Sequence, residues 1–162
     1  MTKEHEIKEI IPGTGLGIIK FGMTRDQLKL ILGNPDEVES DLTDGIEDED
    51  IETWHYDELD LSVQFSESTN FRLVSIATGA EYAELEGETI IGKDGDELSE
   101  HLEKIGIDDL LEEEMKDESG EMIKIFVSDD MGLNFWMEEG VVSEIQWIPF
   151  LADDEESIEW PS

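Results

Sequence analysis

The chain has 162 residues, 38% of them hydrophobic, and sets 45 acidic side chains against 10 basic ones for a formal net charge of −35. That length holds one ordinary domain or two small modules sharing a core. So negative a surface repels nucleic acid, anionic membrane and acidic ligands and draws cationic partners over a Debye length of roughly 8–10 Å, while the lack of cysteine rules out disulfides, thiol nucleophiles and zinc–thiolate sites.

Residues 1–10 alternate charge around Ile7 and Ile10 and read as an edge strand or a loose arm. They contain no apolar stretch of the secretory type, and no run approaches the roughly 18 apolar residues of a membrane span. The expected address is the cytoplasm, with no membrane contact. Gly13, Gly15 and Gly17 follow in a turn-rich connector. No buried strand precedes them and no Gly-Lys-Thr/Ser follows, so they suit a turn and not a phosphate loop.

Thr24 with Gln27 forms a capping box, Leu28, Ile31 and Leu32 supply an apolar face, Gly33 stops the helix and Pro35 bars its restart, which predicts a helix over 25–32. Residues 36–52 are so dense in acids that a mobile loop is expected. Strands follow at 52–57, 59–66 and 71–78; Leu59, Leu61, Val63 and Phe65 alternate with Asp60, Ser62, Gln64 and Ser66. After a bridge from Tyr82 to Gly87, Asp94 takes a second cap with Glu97 at the third helical position, and Leu98, Leu102 and Ile105 mark a helix over 95–104. A further short helix over 108–115 is expected, with Asp108 and Asp109 near its positive end, then strands at 121–127, 131–138 and 141–148 and an acidic, frayed tail.

The second helix repeats the first after about 70 residues, and the run from Leu59 to Phe65 is echoed by that from Met131 to Met137. The stretch Gly22-Met23-Thr24, Gln27-Leu28, Leu32-Gly33, Pro35, then Trp54, Tyr56, Val63 and Phe65, resembles the SmpA/OmlA domain, found in the small lipoprotein of the outer-membrane β-barrel assembly machinery. Used twice in tandem, such a unit is similar to β-lactamase inhibitor protein. The resemblance implies an α+β fold of two tandem helix(-helix)-antiparallel-sheet modules, and a protein-binding role without catalysis. On that reading 1–80 is the first module, with the acidic loop 36–52; 81–150 is the second; 151–162 is the tail.

The chemistry-bearing residues argue the same way. His5, His55 and His101 share no ligand spacing, and His55 is opposite in parity to Trp54 and Tyr56 on its strand, as an ordinary strand residue would be. Placing Gly45 or Gly95 at the centre of a calcium loop puts apolar residues at ligand positions, so no metal, no cofactor and no catalytic residue is expected. Trp136 falls on the polar face of its strand, either covered by another element or free to anchor a partner, and Trp54 and Tyr56 raise the same choice. Partner contacts are expected from Glu47, Asp48, Glu49, Asp50, Trp54, Tyr56 and Trp136. The partner is expected to be a basic protein, such as a toxin neutralised by an immunity-type protein that is itself a monomer or weak dimer. The alternatives are acidity that serves solubility alone, and a nucleic-acid mimic that blocks a DNA-binding protein.

Overall fold

Local signals decide both α-helices. The computed structural model describes residues 7–42, 50–116, 119–128, 131–151 and 158–159. Helix α1 (Arg25–Leu32) starts where Thr24 Oγ1 accepts from Gln27 N at 3.2 Å and Gln27 Oε1 accepts from Thr24 N at 2.9 Å. Helix α2 (Gly95–Lys104) starts from the same reciprocal pair between Asp94 and Glu97. Each cap satisfies amide groups that the first turn leaves unpaired. Gly33, at a positive φ of 82°, ends α1, and Tyr56 donates its hydroxyl to the Gly33 carbonyl at 3.0 Å. Burial, and secondarily the charge of Asp36, push that phenol up to about 12.

Eight strands make one antiparallel sheet: β1 (Glu37–Leu42), β2 (Asp50–Tyr56), β3 (Leu61–Ser66), β4 (Arg72–Thr78), β5 (Leu111–Lys116), β6 (Met122–Ser128), β7 (Leu133–Glu138) and β8 (Val141–Trp147), in the order β5-β6-β7-β8-β4-β3-β2-β1. At its centre β8 pairs with β4 through three residue pairs, Ile145 with Thr78, Gln146 with Ala77 and Trp147 with Ile76. The rest of each central strand is paired by a helix entry. Gly22 N donates to Leu73 O and Leu73 N to Met23 O; Gly92 N donates to Val142 O and Val142 N to Lys93 O.

Alternation sends Leu61, Val63, Phe65, Ile76, Leu133, Phe135, Ile145 and Trp147 to one face, where all are buried. Both helices lie on that inner face through Leu28, Leu32, Leu98 and Leu102. A three-stranded ribbon of 10–20 lies there too, delivering Ile10, Leu16 and Ile19 to the same core. Trp147 Nε1 donates to the ribbon's Gly15 O at 3.2 Å, and a Cβ at Gly15 would collide with the Ile19 carbonyl. The glycine string is therefore packing, not a phosphate cradle. No helix among the described residues is long and apolar enough to cross a membrane.

The fold class expected from the sequence is overturned. Among the described residues strand makes up 50% and helix 18%, so the protein is mainly β, and the strands form one large antiparallel sheet instead of two helix-sheet modules. Two misread segments account for much of the difference. Residues 37–42 and 50–52, expected as loop, are strand, paired residue by residue from Glu37–His55 to Leu42–Asp50. Residues 111–115, expected to end a helix, belong to a strand over 111–116 that pairs with β6 along its whole length. Both are edge strands rich in glutamate. Backbone pairing to one neighbour offsets their poor local patterning, and their charges stay in solvent. The remaining shifts are at ends: Leu59 sits in a 3-10 turn, and Met131 and Gly132 in the turn before β7.

The seam generates the first prediction. Trp147 is fully buried beside it, so Trp147→Ala should cost about 3–5 kcal/mol in urea unfolding. Trp147→Phe, which keeps most of the volume and loses the bond to Gly15, should cost clearly less.

Candidate protein-interaction site

The face of the sheet opposite the helices carries the side chains left over from the core. Its organising feature is a β-bulge. Trp136 pairs with Glu144, but the next pair is Met137 with Val142, so Ser143 is the extra residue. Its hydroxyl donates to the Trp136 carbonyl at 3.2 Å. The bulge keeps Met137 and Val142 in the core while Trp136 and Glu144 stay together on the outer face, a common use of bulges at functional positions.

Trp136 is half-buried, and its indole Nε1 is sealed from water with no hydrogen-bond partner among the described residues. An unsatisfied buried donor of this kind costs roughly 1–3 kcal/mol. Around it runs a groove of about 470 Å³, with Met122, Ile123, Trp136 and Met137 as its apolar lining and Glu121, Glu138, Glu139 and Glu144 among its walls. A second hollow of about 240 Å³ adjoins across the seam, lined in part by His55, Asp57, Asp60 and Ser62; Ser143 and Glu144 border both.

Glu144 is the electrostatic hinge of this strip. Burial of its carboxyl end, and then the negative charge of Asp60, raise its pKa above the ordinary value of 4.5, although the residue as a whole still meets solvent. Asp60 is held in a left-handed turn (φ 51°) between β2 and β3. Its carbonyl accepts from Gly79 N at 3.1 Å and from Thr78 Oγ1 at 3.0 Å, which fixes the backbone at this turn. A cation at this wall relieves both carboxylates at once.

Of the residues expected to meet a partner, Trp136 alone lies in the groove. Trp54 and Tyr56 are core residues, 3% and 4% exposed, facing Val63 and Leu61 across the β2–β3 ladder. Trp54 packs against Phe65 and α1, its indole donating to Glu52 at 2.6 Å while Glu52 also holds Arg25 at 3.0 Å. Asp50 opens β2. Glu47, Asp48 and Glu49 lie outside the described residues. Sequence reasoning missed Glu144 and Asp60. The one available signal was Ser143-Glu144, a polar pair that breaks the alternation of β8 and so hints at a bulge. At the far edge of the outer face, Glu37, Glu39 and His55 come together as a possible cation-ligand set.

Comparison with protein-family models, with curated proteins and with solved structures finds no match for the chain. What the arrangement can do follows from its own chemistry. Its apolar residues suit the aliphatic stem of a lysine or arginine, and its glutamate walls suit the charged head.

The raised pKa of Glu144 has a definite pH signature. The folded chain holds this proton more tightly than the unfolded one, so ionising Glu144 costs stability as pH rises through the window above 4.5. Glu144→Gln should therefore stabilise the protein at pH 7, by no more than ~0.5 kcal/mol because solvent screens the site. The gain should vanish below the ordinary carboxylate range. Paired thermal melts of variant and parent at both pH values check this.

Proposed function

We propose that the chain is a cytoplasmic, non-enzymatic binding protein that captures a basic protein, in the manner of an immunity protein neutralising a toxin. The observation that carries this reading is Trp136: a half-buried aromatic set in a groove walled by glutamates. A groove of that composition is matched to a basic polypeptide segment, whose lysine or arginine stem can lie on the indole while its charged head meets the glutamates. The charge of −35 supports the same partner class, because a long-range field of that sign speeds the encounter with a cation.

Field and anchor act on different rates, so the proposal divides into two measurements. Immobilised protein is exposed to a panel of basic proteins, nuclease toxins among them, and binding kinetics are read for those captured. Raising salt from about 50 to 500 mM should slow association by an order of magnitude or more and change dissociation less. Trp136→Ala should instead shorten the lifetime of the complex by roughly tenfold or more, with association little changed. Salt-independent association combined with an unchanged lifetime for Trp136→Ala sinks the proposal.

A further inference from the structure

The outer face holds a second constellation, at the edge remote from Trp136. Glu37 on β1 is the register partner of His55 on β2, and Glu39 follows two residues later on the same side of the strand. One ligand atom from each of the three lies within 4.8 Å of the other two. The imidazole is already oriented: Nδ1 is 2.7 Å from the Ser62 hydroxyl of β3, its register partner on the other flank. Nε2 turns toward the carboxylates, 3.4 Å from Glu39 Oε1, and is sealed from water without a hydrogen bond among the described residues.

A ring nitrogen in that condition calls for explanation, since buried polar atoms nearly always find a partner. In the tautomer whose Nδ1–H donates to Ser62, the lone pair of Nε2 faces the two carboxylates, the arrangement by which a hydroxyl or carbonyl orients a metal-bound histidine. Glu37 and the half-exposed Glu39 are free to rotate inward. Bond lengths of about 2.0–2.2 Å to nitrogen and oxygen then need only a modest closure of the three groups. One imidazole with two carboxylates favours a borderline divalent transition ion over the all-oxygen surroundings preferred by Ca²⁺ or Mg²⁺.

We propose that Glu37, Glu39 and His55 form a site for one divalent transition-metal ion of the Zn²⁺ class, which ties edge strand β1 to β2. The inference is independent of the groove and of its partner. Its bland competitor is a simple histidine–glutamate ion pair immersed in a diffuse cation atmosphere, and the test must separate the two. Untagged full-length protein is titrated with Zn²⁺ by calorimetry in a large excess of Mg²⁺, which occupies the diffuse atmosphere, and with Co²⁺ by visible absorption. One equivalent should bind above the Mg²⁺ background, raise the melting temperature and give a Co²⁺ ligand-field band. His55→Ala and the double variant Glu37→Gln/Glu39→Gln should each weaken that equivalent roughly tenfold or more, whereas Glu58→Gln, at an exposed acid elsewhere, should leave it intact. The double variant alters side chains that reach solvent, so it decides the matter even where His55→Ala perturbs folding. Absence of the equivalent, or its survival in the double variant, overturns the proposal.

Discussion

Three residue pairs between β4 and β8 hold eight strands in one sheet, and much else in the molecule depends on that short seam. It is short because the outer halves of both strands are already occupied. The chain entering α1 pairs with Leu73, and the chain entering α2 pairs with Val142. Each helix is thus sewn to a central strand at its capped end, and both helices land on the same face. Trp147 secures the seam from within, filling the core between Leu133 and Ile76 and fastening the amino-terminal ribbon through Gly15. A tryptophan at that point couples three chain segments that are distant in sequence.

Charge is partitioned by the same geometry. The inner face takes nearly all the large apolar side chains, and what polarity it admits is neutralised locally, as where Glu52 serves both Trp54 and Arg25. The outer face and the edges take the acids. There, two carboxylates share one wall, an indole donor lacks an acceptor, and an imidazole nitrogen lies against glutamate without a hydrogen bond. These unmet demands all call for a positive group or for an acceptor carried with one. A surface with such demands is poised for ligands in a way that a uniformly hydrated acidic surface is not.

What could be read from the sequence follows from where its information is local. Both helices were legible because a capping box and an apolar stripe are complete within ten residues, and β3, β4, β7 and β8 because alternation is. The edge strands were not. A run such as Leu111-Glu112-Glu113-Glu114 has no periodicity of its own and becomes a strand only because β6 lies alongside. Misreading those edges, together with the internal repeat and the resemblance drawn from it, produced the modular α+β expectation. At the site, the parity of Trp136 was enough to place it on the outer face. Trp54 and Tyr56 needed the β2–β3 register before they could be assigned to the core. Glu144 needed the bulge, and Glu37 with Glu39 needed β1, so neither grouping was visible in one dimension.

The glutamates on the two outermost strands have a further role. An unpaired strand is a growth point, open to the backbone of any second copy that arrives edge-on. Here an arriving copy of β1 brings Glu37 and Glu39 against the same residues, and an arriving copy of β5 brings Glu112, Glu113 and Glu114. Neither edge is blunted by proline; β1 is guarded by carboxylates, and β5 by carboxylates with Lys116 at its end. The guard is therefore conditional: protonating the carboxylates removes the repulsion and leaves two competent templates exposed. Acidification thus weakens the barrier to edge-to-edge pairing at both ends of the sheet.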